Sequence, residues 1–186
     1  MSVKPMSLSQ MVPTPAASAM NTELTSPSNL FMVSRFGKPG KLTRDCSEVG
    51  NLGLKAHIQT ADLGPFRATG HAAAILSLQR VFVTVQKERP DLYKAVRTAG
   101  MLCCRAVRGS KKNYSNHSWG TAIDLYFGSE IDAMGDNQTQ RGLLELYPFF
   151  HERKWFWGAG FGTREDSMHF EASTELIDQW DRMGLI

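Results

Sequence analysis

Ser115-Asn116-His117-Ser118-Trp119-Gly120-Thr121-Ala122-Ile123-Asp124 places an imidazole and a carboxylate on either side of a glycine. From Thr121 to Phe127 the residues run Thr, Ala, Ile, Asp, Leu, Tyr, Phe, which predicts a core strand with Asp124 inside it. His117 stands at the end of the polar loop 108–116. A turn at Gly120 folds the chain so that the two side chains face one point. A lone histidine is more often a surface or core residue. Ser115, His117, Gly120, Ala122 and Asp124 in one register, however, arise by chance at about one starting point in a million.

A second stretch, Glu165-Asp166-Ser167-Met168-His169-Phe170-Glu171, supplies another imidazole. His117, Asp124 and His169 are three protein ligands of the type that catalytic zinc takes, with a fourth position left open. A closed structural site would favour four side chains and cysteines. Asp166, three residues before His169, suits a general base that takes a proton from the attacking water. Glu165 competes for that role, although an extended segment points it elsewhere.

The pattern SxHxxGxAxD followed by D/ExxH resembles the zinc signature of the D-alanyl-D-alanine carboxypeptidase and L-alanyl-D-glutamate endopeptidase family, which includes VanY-like enzymes and phage endolysins. The resemblance runs from about Gly64 to Glu171, is weaker before residue 60, and is absent from the N-terminal residues. It implies Zn2+ held by His117, Asp124 and His169, with Asp166 as base. It also implies an arginine that stabilises developing charge or a substrate carboxylate. Arg105 is the better match and Arg108 the substitute, because a guanidinium stays charged and offers a rigid donor fork. Ser115 is a candidate to bond substrate or to cap a turn. Trp155 and Trp157 are candidates for the cleft wall or for the core, with Gly158 and Gly160 allowing close backbone approach; Trp119 reads as core. The implied fold is the α+β arrangement of hedgehog-type and DD-peptidases, a small antiparallel sheet carrying the zinc site and flanked by helices. The implied substrate is a peptidoglycan stem peptide. Cleavage of L-Ala-D-Glu in the manner of a lysin is the leading expectation, D-Ala-D-Ala carboxypeptidase action the second. A non-catalytic zinc-binding cell-wall module is the rival from another class. The segment from Asp124 to Asp166 departs from relatives by an insertion with Glu130, Asp132 and Asp136.

Outward from these motifs, Ile75, Leu78, Phe82 and Val85 recur at helical spacing and predict a helix ending before Pro90. A short helix is expected over 91–97, a buried strand over 101–107, turns over 128–138, and a helix over 140–153 with a possible break at Pro148. A short strand around 168–171 and a closing helix over 174–183 complete the chain. Residues 31–68 read as loops with a strand or two. Helices around a few strands, without regular βαβ alternation, predict α+β.

The 186 residues suffice for one core. Residues 1–30, rich in Ser, Pro, Thr, Met and Ala, read as a disordered or loosely attached arm, and 31–186 as the peptidase domain. Gln10, Pro13 and Pro15 interrupt any apolar export signal before Ala17-Ser18-Ala19, so synthesis in the cytoplasm with action at the wall or periplasm is expected. A net charge of +3 with its basic residues spread along the chain argues against a nucleic-acid partner. No apolar run reaches the roughly 18 residues of a membrane span, which argues against stable membrane insertion. A monomer is expected. Of Cys46, Cys103 and Cys104, the last two read as buried free thiols, with a bridge from Cys46 to one of them as the alternative.

Overall fold

The alternating segment after Gly120 forms a strand, β5 (Ala122–Phe127). It lies inside a four-stranded antiparallel sheet with β4 (Val96–Gly100), β7 (Trp155–Trp157) and β8 (His169–Ala172), in the order β4-β5-β8-β7. The register sets Asp124 opposite His169 and Ala122 opposite Glu171. Strand pairing therefore brings two distant motifs to one spot, because directly opposed residues on neighbouring strands share a face. The computed structural model describes residues 7–186.

Helix α3 (Ala72–Glu88) buries one face, with Ile75, Leu78, Val81, Phe82 and Val85 in the core. It begins where His71 Nδ1 accepts a hydrogen bond from Ala73 N, and it gives way at Arg89 to the short α4 (Pro90–Ala95). Helix α5 (Arg141–Glu152) runs through Pro148 without ending. A proline inside a helix costs about 3 kcal/mol, and the burial of Leu143, Leu146 and Phe150 on the same helix offsets it. The closing helix α6 (Thr174–Arg182) buries Leu176, Ile177 and Trp180 behind a Ser173 cap. No helix among the described residues is long and apolar enough to cross a membrane. The architecture is α+β: small antiparallel sheets with helices around them.

Several sequence expectations need correction. The helix expected over 91–97 stops at Ala95, because Val96 pairs with Phe127 and starts β4. The strand expected over 101–107 is an irregular extended segment. Its backbone bonds go to loops instead of a sheet: Cys103 N to His117 O, Arg105 N to Ser118 Oγ, Ala106 N to Thr43 O. Residues 31–68 hold a hairpin, β2 (Ile58–Asp62) with β3 (Arg67–His71), but also two helices, α1 (Asn29–Phe36) and α2 (Leu52–Ala56). Cys103 is not a free thiol; it is bridged to Cys46, while Cys104 is free and buried.

The largest correction concerns the N-terminal segment. Residues 1–6 lie outside the described residues, but 7–30 are packed against the rest of the chain rather than loosely attached. β1 (Met11–Pro13) pairs with β6 (Gln138–Gln140), and Met20 is buried in the core. Asn21 donates from Nδ2 to Trp157 O and accepts from Trp157 N, supplying the exposed edge of β7 with a partner. A polar, proline-punctuated sequence conceals this because its attachments are side-chain and backbone hydrogen bonds rather than an apolar face.

Candidate metal centre

Asp124 and His169 project from opposed positions of β5 and β8, and His117 reaches them from a 3-10 turn, Asn116–Trp119. Gly120 closes that turn in the left-handed region at φ 66°, and a Cβ there would meet His71 N at 2.7 Å. Only glycine fits both demands. The chain then enters β5 with His117 folded back over Asp124.

The three side chains form a near-equilateral triangle. His117 Nε2 lies 3.1 Å from Asp124 Oδ1 and 3.2 Å from His169 Nδ1, and His169 Nδ1 lies 3.1 Å from Asp124 Oδ1. Donors around a tetrahedral zinc with bonds of ~2.0–2.1 Å stand ~3.3–3.4 Å apart, so the triangle fits one face of such an ion. Two nitrogens and one carboxylate oxygen are also the donor set of catalytic rather than structural zinc. Burial opposes the Asp124 charge, but both histidines outweigh it and hold its carboxyl well below the usual range. Burial likewise opposes charge on His169, and the hydrogen bonds to Asp124 and Glu171 overcome it, raising that ring's pKa.

Each imidazole is oriented by a bond from its far nitrogen. His117 Nδ1 donates to Met101 O at 2.7 Å, leaving Nε2 for the triangle. His169 Nε2 donates to Glu171 Oε2 at 3.0 Å, leaving Nδ1. Such outer bonds select the tautomer and raise ligand basicity. Glu171 has no stated role at the sequence level, yet one signal was there. Residues two apart on a strand share a face, so His169 and Glu171 in His-Phe-Glu had to lie side by side.

Asp166 sits in the turn leading to His169, whose N–H donates to Asp166 O. Asp166 N in turn donates to Gly158 O at 3.0 Å. A Cβ at Gly158 would lie 2.5 Å from Asp166 O and 3.0 Å from His169 Cβ, so this glycine is what lets the turn close. Asp166 Oδ1 is buried and has no hydrogen-bond partner among the described residues. Desolvation raises its pKa; the charges of His169, His117 and Arg108 pull the other way, and that of Asp124 reinforces it. An orphaned carboxylate oxygen beside two imidazoles and a second carboxylate is suited to exchanging protons with a ligand. Glu165 points away, its Oε1 accepting Asn137 N from the insertion.

Of the remaining sequence candidates, Arg105 turns its guanidinium onto Ala106 O, whereas Arg108 is the cation whose charge reaches Asp166. Ser115 is buried and precedes the 3-10 turn, but its hydroxyl does not cap it. Trp157 is 0% exposed, stacked between Tyr147 and Phe170, with Nε1 donating to Ser167 O. Its expected place on the cleft wall is therefore corrected: no face of the ring is open to a ligand, and it braces the Asp166 turn from within. Trp155 and Trp119 are equally enclosed. In the insertion, Asp132 is 3% exposed, with Oδ2 accepting Gln140 N and Oδ1 unpartnered among the described residues. Burial pushes its carboxyl up to about 6, with the nearby charges of Asp136, Asp166 and Glu165 adding to the rise.

Residues 108–172 match a family model described as D-alanyl-D-alanine carboxypeptidase. The match covers about a third of the chain, and it contains the whole triangle, Asp166 and Arg108. It supports the zinc DD-peptidase family without separating its subfamilies, and it is shorter than the span the sequence resemblance suggested. No curated protein and no solved structure gives a significant match.

Proposed function

We propose that this chain is a zinc metallopeptidase that hydrolyses peptidoglycan stem peptides, cutting the L-Ala-D-Glu bond as a lysin-type endopeptidase. The observation that carries the proposal is the buried His117–Asp124–His169 triangle with the unpartnered Asp166 carboxylate beside it. Zinc held by this triangle would supply a Lewis acid that polarises the scissile carbonyl and acidifies the attacking water. Asp166 accepts the water's proton at Oδ1 and returns it to the leaving amine. Its raised pKa serves both steps, since a base poised nearer neutrality also gives the proton back. Arg108 offers a cation for a substrate carboxylate, and Arg105 would need to leave Ala106 O to assist.

Both bonds in question, L-Ala-D-Glu and D-Ala-D-Ala, place a D-residue with a free α-carboxylate on the leaving side, which suits Arg108. The endopeptidase reading draws support from the loop that carries that cation, where Val107, Arg108 and Gly109 are exposed, as are Lys111 to Asn113, so that the loop is open to solvent. The carboxypeptidase reading draws its support from the description of the matching family. The same proposal includes the hedgehog-type arrangement, with Asp124 and His169 on neighbouring strands and His117 on the turn before them. Action at the wall or periplasm agrees with the Cys46–Cys103 bridge, since disulfides persist in oxidising compartments.

Purified sacculi digested with the protein, with and without a chelator, and read by mass spectrometry test the proposal. New termini at D-Glu, abolished by the chelator, are expected. Release of terminal D-Ala alone would replace the endopeptidase by the carboxypeptidase, and no product on any wall substrate would favour a non-catalytic binding module.

A further inference from the structure

Glu171 is more heavily bonded than a partner of one histidine needs to be. It is buried, and three donors converge on it: His169 Nε2 and Asn116 Nδ2 on Oε2, at 3.0 and 2.7 Å, and Ser26 Oγ on Oε1, at 2.5 Å. Asn116 belongs to the ligand-bearing turn. Ser26 comes from the N-terminal segment, 145 residues away in sequence. We propose that Ser26 is a positioning residue of the metal centre, acting on His169 through Glu171; this rests on the zinc-site reading above.

Ser26 can act in this way because its backbone is fastened on both sides. Upstream, the Asn21 side chain holds both the N–H and the carbonyl of Trp157, and Asn21 N donates to Tyr147 Oη. At the adjacent residue, Thr25 N donates to Glu175 Oε2 and Thr25 O accepts Thr174 N, tying the segment to the start of α6. Downstream, Pro27 O accepts from Asn116 Nδ2, the same amide that reaches Glu171. The hydroxyl is thus delivered to a fixed point beside β8.

On Oε1, Ser26 Oγ is the donor that sets the tilt of the carboxylate plane. That plane fixes the direction of the His169 Nε2–H bond and hence where the Nδ1 lone pair points. Removing the hydroxyl leaves a buried carboxylate oxygen short of a donor. The carboxylate then turns or recruits water, and either change loosens the imidazole. A simple space-filling role for Ser26 would stabilise the fold equally with and without metal.

Zinc affinity of the purified full chain, measured by competition with a chromogenic chelator, and thermal unfolding of the metal-free protein separate these roles. Glu171→Gln is expected to weaken zinc binding by ~10–100-fold, the usual range for an outer partner. Ser26→Ala, one bond further out, is expected to weaken it by ~3–10-fold. Ser26→Thr, which keeps the hydroxyl, should restore it to within ~2-fold. Unchanged zinc affinity in Ser26→Ala overturns the inference, even if the metal-free protein melts earlier. So does an equal loss in Ser26→Thr. Failure of the wild-type chain to bind zinc would instead bring down the metal-site reading itself.

Discussion

The two sides of the candidate metal centre are built in opposite ways. On the histidine side the far ring nitrogens are bonded to Met101 O and Glu171, and Glu171 is itself held by Ser26 and Asn116. On the acid side, Asp166 Oδ1 and Asp132 Oδ1 are buried without a partner among the described residues. A satisfied network rigidifies its members, whereas an unsatisfied carboxylate resists ionisation and is ready to exchange a proton. The contrast separates holding an ion, which needs fixed lone pairs, from moving a proton, which needs a group poised between two states.

The largest effect should come from breaking the satisfied side. His117→Ala removes one corner of the triangle, and zinc affinity is expected to fall at least ~1,000-fold, with hydrolysis lost, because binding depends on all ligands converging. Metal content after dialysis checks this, and a variant retaining one zinc per chain would remove His117 from the ligand set.

Breaking the acid side should separate chemistry from binding. Asp166→Ala is expected to lower kcat by ~100–10,000-fold while zinc content stays near one per chain. Surviving activity would show that the proton is taken elsewhere.

The smallest effect sharpens the comparison at its edge. Asp132 has a folded-state pKa of about 6, above the ordinary carboxylate value of 3.8. The native state therefore binds the extra proton between about pH 4 and 6, and stability falls as pH rises through that window. Above it, an ionised, buried carboxylate costs up to about 3 kcal/mol. Asp132→Asn should be more stable than wild type at pH 7.5 by at most that amount, and not at pH 4, in denaturant titrations at the two pH values. Equal stabilities at pH 7.5 would mean that Asp132 is adequately solvated.

Much of the site was legible because its parts carry local signatures. The spacing Ser115 to Asp124 encodes a turn and a strand, and Asp166 to His169 encodes a turn into another strand, so the residues that come together could be named as candidates from residue types and offsets. Trp157 was misplaced for a physical reason: an aromatic followed by a glycine packs into a core or lines a cleft with the same local pattern, and only its stacking on Tyr147 and Phe170 decides between them. The apolar run 101–107 misled similarly. Its apolarity reflects burial, but its backbone bonds go to the loops that hold His117 rather than to a neighbouring strand.

The sequence by itself determined the side chains available to this protein: two imidazoles, a carboxylate able to join them around an ion and a second carboxylate nearby, on segments whose periodicity commits them to strands and turns. Tertiary structure alone decided what surrounds them. It put β5 beside β8 so that Asp124 faces His169, turned the Arg105 guanidinium onto Ala106 O, and laid Ser26 against Glu171. Local patterns report which face a residue occupies, because side-chain direction repeats with backbone geometry. They carry no record of which distant segment will cover that face, since that depends on the path of the whole chain.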